Sequence, residues 1–357
     1  MTSATSRPAP VADDRSNNHV TRRPPTIVDV ARAAGVSHST VSRVLNGRPN
    51  ISAETRRRVE DALARLGYVA DTRARSLAGG RLGCVGLVVF DLGSSYLNQI
   101  VRSVDQALAD EGLDLLLCTT HRRELREHTY VQRLANGAVD GLIVVIPTEA
   151  ERYAATLAER HVPCVLVDHG QSVHASNVIS DNARGMWMII DHLHAAGHRR
   201  IGAIAGRAGR AATTERIEAH RQAVSALGLD TDPALVVPGD YLEPGAYEAA
   251  QTLLDLSDPP TAIVAPSDEA AMAVLRAARK RGLDVPADLS ITGFDDIPEA
   301  ALMSPGLTTV RQAFDEMGSQ AVQLLLERLE DPDRLPVQLR LPVELIVRDS
   351  TGAPRRT

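Results

Sequence analysis

The sequence predicts a small all-α head, a short helical segment, and a larger α/β core with two lobes and parallel sheets. Three observations predict this organisation. Residues 26–66 have the pattern of three short helices, residues beyond 82 alternate apolar runs with amphipathic stretches, and the charge is divided unequally between the two parts. A length of 357 residues also suits two or three domains at about 150 residues each.

The charge asymmetry is the first indication of a partner. Residues 22–81 contain 12 Arg and 5 acidic residues, a net charge of +7. Residues 82–357 contain 25 basic and 38 acidic residues, a net charge of −13. A basic head on an acidic body predicts a polyanion that only the head contacts. A solvated helix face remains the alternative on charge alone.

The N-terminal segment, residues 1–25, is rich in Ser, Pro, Asn and Arg and predicts a disordered tail. It lacks the apolar region of a secretory signal, and no apolar run approaches the ~20 residues of a membrane span. Cys84, Cys118 and Cys164 each lie in an apolar run, which predicts buried, reduced thiols rather than a disulfide framework. We therefore expect a cytoplasmic protein.

The head has clear helix boundaries. Thr26 can cap the first helix with Asp29 at its third position, and Gly35 ends it. Ser37 can cap the second helix, and Ser52 the third. A helix, a three-residue turn containing Gly, and a second helix have the spacing of a helix-turn-helix. The inward apolar residues are expected to be Ile27, Val28, Ala31 and Ala34, then Val41, Val44 and Leu45, then Val59, Leu63 and Leu66.

The core alternates strands and helices. Strand-helix alternation predicts parallel sheets with both faces covered, and about 270 residues exceed one open sheet. Two lobes with a cleft follow, and ligands bind such sheets at the carboxyl ends of strands. Predicted strands are 84–90, 113–118, 141–146, 164–167, 201–205, 261–265 and 289–294. Predicted helices include 97–110, 185–196, 217–227, 247–256, 270–281 and 314–329.

The segment TIVDVARAAGVSHSTVSRVLN, residues 26–46, closely resembles the head of the lactose-repressor/galactose-repressor family of transcription factors. The likeness continues through segments 52–68, 73–79, 178–185, 192–201, 267–268, 293–297 and 341–349. It implies a bacterial regulator with a helix-turn-helix head (26–70), a hinge helix (71–80) and a two-lobed core (82–350) like periplasmic sugar-binding proteins. Residues 351–357 are then a tail.

The second helix presents short polar side chains and one long basic one. By resemblance, His38, Ser39 and Arg43 read bases, with Ser42 beside them. Arg43 can pair bidentately with guanine. The remaining DNA-contacting candidates are expected to touch phosphate or cap helices, which fixes register without reading sequence. They are Thr26, Ser37, Thr40, Asn46 and Arg56.

The segment 71–80 departs from the family pattern at its entry. Ala70-Asp71 stands where Pro-Asn is common. Without context, Leu77 would be interpreted as a core residue. The resemblance instead implies that Leu77 wedges into the minor groove from each subunit, and that Arg73 offsets phosphate charge nearby.

The core offers polar residues at strand ends as ligand-binding candidates. By resemblance, Arg216 and Asp295 bind the effector, with Tyr96, Asp168 and Ser267 lining the same cleft. A carboxylate facing an Arg suits vicinal hydroxyls, so we expect a sugar-like molecule. Asp268 as a helix cap and Asp296 as a turn residue remain open alternatives. The sequence departs from the family pattern at Ala219-His220, where Gly followed by an aromatic residue is usual, and at Ser94-Ser95, where Asn-Pro is common.

Other classes fit less well. His194 and His198 have metal-ligand spacing, but Gly197 interrupts the helix between them. A periplasmic binding protein predicts a signal sequence and no basic head. The sequence contains no nucleophile elbow, phosphate loop or zinc motif, which disfavours an α/β enzyme. An architectural DNA protein would need no cleft. We expect a ligand-responsive repressor that binds a palindromic operator as a homodimer, without cofactor or metal.

Overall fold

The computed structural model describes residues 23, 25–45, 51–68, 81–121 and 123–355. The chain divides into two compact units, Met1–Gly80 and Arg81–Thr357, called the head and the core below. The predicted hinge helix 71–80, with Arg73 and Leu77, lies outside the described residues, as do Asn46 and nearly all of the predicted tail 1–25.

The head contains the three predicted helices: α1 (Ile27–Ala34), α2 (His38–Leu45) and α3 (Ala53–Leu66). Asp29 accepts from both the backbone N and the hydroxyl of Thr26, at 2.8 and 2.7 Å. Ser37 accepts from the backbone N of Thr40 at 3.1 Å, and Ser52 from that of Thr55 at 3.2 Å. Gly35 and Gly67 end α1 and α3 in the left-handed conformation. The predicted caps are therefore confirmed.

Two predicted inward residues of the head are wrong. Val28 is 53% exposed, and the buried stripe of α1 is Val30, Ala31 and Ala34. At about 100° per residue, position 28 points about 110° away from the centre of the stripe formed by residues 30, 31 and 34, and it therefore faces solvent. Leu66 is exposed because it lies in the last turn of α3, and Ala62 is buried instead.

Lobe 1 of the core is a six-stranded parallel sheet in the order β11-β5-β4-β3-β1-β2, flanked by four helices. The central strands are apolar along their whole length because helices cover both faces. The strands are β1 (Cys84–Val89), β2 (Asp114–Thr119), β3 (Gly141–Val145), β4 (Cys164–Val167), β5 (Ser176–Ser180) and β11 (Gln338–Leu341). The helices are α4 (Ser95–Asp110), α5 (Glu124–Ala135), α6 (Ala150–Glu159) and α12 (Phe314–Glu330).

Lobe 2 is a four-stranded parallel sheet in the order β7-β6-β8-β9, and an antiparallel pair, β10 with β12, packs beside it. The strands are β6 (Ile201–Ala205), β7 (Val236–Pro238), β8 (Ala262–Val264), β9 (Ser290–Thr292), β10 (Thr309–Gln312) and β12 (Val343–Ile346). The helices are α7 (Asn182–Ala195), α8 (Ala211–Ala226), a 3-10 turn (Pro233–Leu235), α9 (Gly245–Leu254), α10 (Asp268–Lys280) and α11 (Pro298–Leu302).

The chain passes between the lobes three times: from β5 to α7, from β10 to α12, and from β11 to β12. We call these the first, second and third crossovers. They follow from the strand order, because β11 lies in lobe 1 while β10 and β12 lie in lobe 2.

The thiols are less uniformly buried than predicted. Cys164 is buried, whereas Cys84 and Cys118 are half-buried, because both lie towards the β2 edge of the sheet. Past residue 350, Thr351 bonds to His192 and Gly352 bonds to His198, which fastens the chain end to lobe 2. Within the described ranges, no helix has both the length and the apolar composition to cross a bilayer.

Candidate functional site

A cleft opens between the two lobes, with an empty volume of about 1050 Å³ including solvent at its mouth. Its walls are formed largely by the residues that follow the parallel strands, which is where ligands bind in open α/β sheets. The lining from lobe 1 includes Phe90, Ser94, Tyr96, Thr120, Glu127, Ile146, Thr148 and Asp168. The lining from lobe 2 includes Arg207, Arg210, Arg216, Asp240, Tyr241, Ser267, Glu269 and Asp295.

All five sequence-predicted effector residues line this one cleft: Tyr96, Asp168, Arg216, Ser267 and Asp295. Tyr96 and Asp168 come from lobe 1, and the other three come from lobe 2. A ligand that contacts both groups would bridge the lobes.

Arg216 is the basic centre of the cleft. It lies within α8 and is only 4% exposed. Its Nε donates to Oδ1 of Asn182 at 2.9 Å, and its Nη1 donates to the carbonyl of Pro266 at 2.5 Å. The guanidinium carbon lies 3.6 Å from the ring centroid of Phe294. Two protein bonds and one aromatic face hold the guanidinium in place, so it is preorganised before any ligand arrives.

Two carboxyl groups approach Arg216 from opposite lobes. Asp168 accepts from the hydroxyl of Tyr96 at 3.1 Å, and Asp295 accepts from Nε2 of Gln312 at 2.6 Å. Burial raises the pKa of Asp168, and it raises the pKa of Asp295 well above its usual value; in both cases the Arg216 charge opposes the shift. Carboxyl oxygens beside a guanidinium provide acceptors and donors for a polar small molecule.

The backbone at these strand ends is unusual. Ile146, Asp168 and Asp295 have φ values of 48°, 55° and 129°, and all three line the cleft. Positive φ is uncommon outside glycine, and residues held there cluster at ligand sites. At each of these three positions, the positive φ turns the backbone after the preceding strand has ended.

Ser267 lines the cleft, but its hydroxyl already has two partners. It caps α10 by accepting from the backbone N of Ala270 at 3.0 Å, and it donates to the carbonyl of Tyr241 at 2.7 Å. Its donor is used by the protein, which leaves acceptor capacity for a ligand. Ser267 is thus a positioning group for Tyr241 as well as part of the wall.

The two acidic residues left open by the sequence have structural partners. Asp268 is fully buried, accepts from the backbone N of Ile297 at 2.9 Å and from the hydroxyl of Thr309, and does not line the cleft. Burial raises the pKa of Asp268 to about 7. Asp296 forms ion pairs with Arg311 and Arg348, at 2.7 and 2.6 Å. Both carboxyls therefore hold lobe 2 together.

Several cleft residues escaped the sequence reasoning. Arg207 and Arg210 follow β6, and their position at a strand end could have marked them. Arg210 spans the cleft, because its Nη1 donates to the carbonyls of Ile146 and Pro147 at 2.8 and 3.0 Å. Tyr241 follows the three-residue strand β7, and no periodic pattern marks it. Its ring packs so closely on Gly206 that a Cβ there would lie 2.4 Å from Cζ.

His198, one of the two histidines that have metal-ligand spacing, and the nearby His192 contact side-chain hydroxyls. Helix α7 ends before Gly197, as predicted. His198 contacts the hydroxyls of Thr261 and Ser290 at 2.8 and 3.1 Å, and His192 contacts that of Thr351 at 2.9 Å. These histidines fasten lobe 2 and its C-terminal segment.

The predicted DNA-reading face is accessible on α2. His38, Ser39 and Arg43 are exposed, and Thr40 and Ser42 are half-buried. Ser37 bonds within the helix start, with its hydroxyl 2.8 Å from those of Ser39 and Thr40. Arg56 is half-buried on α3, and Thr26 is engaged by Asp29.

One basic residue of the head has a purely structural partner. Nη2 of Arg58 donates to the carbonyls of Ala34 and Gly35, at 2.6 and 3.3 Å. It thereby closes the C-terminal end of α1. A Cβ on Gly35 would lie 2.7 Å from that same nitrogen. Not all of the positive charge of the head is available to a polyanion.

Comparison with known proteins gives two family matches. Residues 26–71 match the bacterial regulatory proteins of the lacI family, and residues 190–351 match the periplasmic binding protein-like domain. The chain is 34% identical over 332 residues to the HTH-type transcriptional regulator DegA of Bacillus subtilis (strain 168), covering 92% of this chain and 98% of DegA.

Solved structures agree along most of the chain. The lac repressor dimer bound to operator and the anti-inducer ONPF is 29% identical, with a TM-score of 0.82, covering 93% of this chain and 100% of that one. The complex of the transcriptional regulator CelR with cellobiose is 33% identical, with a TM-score of 0.71, covering 91% and 99%. With its helix-turn-helix head and its periplasmic-binding-protein-like core, the chain belongs to the lacI family of bacterial transcriptional regulators, which are not enzymes.

Proposed function

We propose that this regulator binds a palindromic operator as a homodimer and that a polar small molecule in the interlobe cleft controls this binding. The observation that carries the proposal is the convergence of Tyr96, Asp168, Arg216, Ser267 and Asp295 on one cleft. The resemblance implies an effector-binding role for Arg216 and Asp295 and places the other three in the same cleft. Their arrival at one place supports their assignment as effector-binding residues.

The head supports the DNA half of the proposal. His38, Ser39 and Arg43 lie exposed on the second helix of a helix-turn-helix, the element that enters the major groove in such heads. Arg43 is the proposed guanine reader, since only a long fork can reach O6 and N7 together. Ser37, Thr40, Ser42 and Arg56 are proposed to fix register on phosphates, as is Thr26. Asn46 is proposed to contact phosphate or cap its helix, Arg73 to offset phosphate charge, and Leu77 to wedge into the minor groove as the resemblance implies.

Two heads are needed for selectivity. One head reads too few base pairs to select a site among ~10⁶ or more competing sequences. Two heads on a two-fold axis double the sequence read and imply a palindrome. The lac repressor dimer on its operator has the same architecture along nearly the whole chain. We therefore propose that the core mediates dimerisation.

The cleft supports a ligand rich in hydroxyl or carbonyl oxygens. Arg216 offers a fixed guanidinium, and Asp168 and Asp295 offer carboxyl groups from opposite lobes. The similar transcriptional regulator CelR forms a complex with cellobiose. We propose a sugar or sugar-like metabolite as effector, and repression relieved by that effector. The ligand shifts DNA affinity only by its differential affinity for the two lobe arrangements, typically 5–150-fold.

The test is capture of genomic DNA by the purified full-length chain at low salt, followed by sequencing. We expect the captured DNA to contain a palindrome with two equal half-sites. For Arg43→Ala, the base preference at one position of each half-site should disappear. The capture is repeated with cellobiose and with a panel of monosaccharides, and release by one of them identifies the effector class. Absence of any palindrome under all of these conditions contradicts the operator assignment.

A further inference from the structure

A chain of hydrogen bonds leads from the effector-binding candidate Arg216 to the third crossover. Arg216 Nε donates to Asn182 Oδ1 at 2.9 Å. Asn182 Nδ2 donates to Glu215 Oε2 at 3.0 Å. Arg340 then grips Glu215 with both terminal nitrogens, at 2.9 and 3.1 Å. We call Arg340, Glu215 and Asn182 the relay.

Glu215 is the charged centre of the relay. It precedes Arg216 on α8, and successive helix residues point about 100° apart, so the two side chains leave the helix in different directions. The pKa of Glu215 lies below its usual value: burial acts to raise it, but the bonds from Arg340 and Asn182 outweigh that effect. Glu215 is therefore an anion at neutral pH, and its paired carboxylate fits the planar fork of Arg340.

The side-chain amide of Asn182 is oriented by the charge of Glu215. A carboxamide has one acceptor end and one donor end. Glu215 can only accept, so it fixes the NH₂ of Asn182 towards itself and turns Oδ1 towards Arg216. Arg216 can only donate and favours the same orientation, so loss of the charge or the place of Glu215 removes one of the two bonds that hold the amide. A reversed amide would present a donor to the Arg216 donor.

The relay sits where the chain passes between the lobes. Asn182 is the first residue of α7, directly after the first crossover. Arg340 is the second-last residue of β11, the strand that leads into the third crossover, and its Nη1 also lies 4.0 Å from Asp181. A change of lobe angle that moves β11 relative to α8 must therefore change the grip on Glu215.

We propose that Arg340 and Glu215 are positioning residues of the effector site: through Asn182 they set the guanidinium of Arg216, and they tie it to the crossover between the lobes. This rests on the proposed function of Arg216 as an effector ligand. Because coupling between sites is reciprocal, ligand on Arg216 also stabilises the relay, and with it one arrangement of the third crossover. Neither Arg340 nor Glu215 lines the cleft.

The test observes Arg216 directly and needs no ligand. The full-length chain is labelled with ¹⁵N-arginine, and the Nε–H resonance of Arg216 is assigned by its loss in Arg216→Lys. Its hydrogen-exchange rate is then measured in Arg340→Gln, Glu215→Gln and Arg340→Lys. Arg200 serves as an internal reference, because its Nε donates to the carbonyl of Asp258 at 2.7 Å, outside the relay. Arg281→Gln, which breaks the ion pair with Asp255, is the matched control variant.

We expect Arg216 Nε–H to exchange at least tenfold faster in Arg340→Gln and Glu215→Gln, with Arg200 Nε–H unchanged. Arg340→Lys keeps the charge and should recover at least half of that change on a logarithmic scale. Arg281→Gln should leave the Arg216 rate at its original value. Arg340 has a side chain 39% exposed, so Arg340→Gln keeps the test available even where Glu215→Gln fails to fold.

An Arg216 rate within a factor of two of the original in Arg340→Gln overturns the proposal, as does an equal acceleration at Arg200 or no recovery with Arg340→Lys. These failures are separate from failure of the proposed function. The latter would appear as an unchanged ligand response in a cleft variant such as Asp295→Asn, whatever the exchange rate of Arg216.

Discussion

The guanidinium carbon of Arg216 lies 3.6 Å from the ring centroid of Phe294, a stacked pair in a buried setting. A desolvated cation over an aromatic face contributes roughly 2 kcal/mol. Phe294 is itself held by Gly185 on α7, where an added Cβ would lie 2.7 Å from Cε2 of the ring. Gly185, Phe294 and Arg216 thus form a stack in which the glycine sets the depth of the basic group in the cleft.

Gly185→Ala should displace Phe294 and with it Arg216. Alanine favours a helix interior by about 1 kcal/mol, but the buried ring and Val310, 3.0 Å from the added Cβ, leave no room. We expect a net loss of about 1–3 kcal/mol in the free energy of unfolding, measured by urea denaturation. Gly306→Ala is the control, because its Cβ would meet Arg348 at 3.4 Å and Asp349 at 3.7 Å, which are ordinary contact distances. A stabilised Gly185→Ala protein would show that the stack is not rigid.

Asp295→Asn should weaken the ligand response while leaving DNA binding without ligand unchanged. The substitution keeps the volume and the bond from Gln312 but removes a carboxyl group that interacts with the Arg216 charge. Loss of the hydrogen bonds that this carboxyl group makes to the ligand predicts at least a tenfold higher ligand concentration for half-maximal release of captured DNA. Asp296→Asn is the matched control, because that carboxylate pairs with Arg311 and Arg348 away from the cleft. Equal responses in the two variants would remove Asp295 from the site.

Arg43→Ala should relax sequence preference at one base position in each half-site. The exposed Arg43 is the only long basic side chain among the proposed readers on α2, and a bidentate pair to guanine is worth about 1–3 kcal/mol of discrimination. Binding-site selection by sequencing measures the effect. Arg32→Ala, an equally exposed substitution on α1, should retain the original preference. An unaltered logo for Arg43→Ala would assign base reading elsewhere.

Arg56→Gln should weaken binding to every sequence alike. A phosphate contact carries no base information, and each one lost reduces the slope of log K against log salt by about 0.9. Titrations at several salt concentrations give that slope. Arg58→Gln provides the contrast, because its guanidinium closes α1 through Ala34: it should lower the stability of the head instead. An Arg56→Gln slope equal to the original contradicts the phosphate role.

His220→Phe should remove an acid-sensitive weakness of lobe 2. Both ring nitrogens of His220 are buried without a hydrogen-bond partner among the described residues, and burial lowers its pKa to about 4, with Arg221 adding to the shift. Since the unfolded chain takes up the proton near pH 6.5, stability is lost as the pH falls from about 6.5 towards about 4. The difference is roughly 2 kcal/mol at pH 5.

Unfolding of His220→Phe at pH 7 and pH 5 measures this effect against the original chain. We expect a higher free energy of unfolding at both values and a smaller loss between them. His161→Asn removes an exposed histidine and tolerates the positive φ of that position, so it should reproduce the original pH dependence. An identical pH dependence in His220→Phe would mean that His220 titrates normally.

Local patterns carried much of the fold. The caps at Ser37 and Ser52 and the stop at Gly35 each depend on side chains within three or four residues, so the sequence encodes them directly. The predicted strands of the core likewise appear as parallel strands, and all but the edge strand β2 are largely buried, because a strand that is covered on both faces has a continuous apolar run. Val28 and Leu66 are exposed although the sequence predicts them to be inward. The neighbouring helices decide which face of a helix is buried and whether its last turn is covered.

The sequence alone determined the two-part architecture, the family and the five residues that meet in the cleft, since strand ends and motif positions are readable along the chain. Only the tertiary structure decided how those residues are held. The hydroxyl of Ser267 donates to the carbonyl of Tyr241, and Asp268 accepts from Ile297 and Thr309. Arg340 donates to Glu215, which lies 125 positions away in the sequence. Contacts between residues far apart in sequence depend on how the lobes pack, and no local periodicity records that packing.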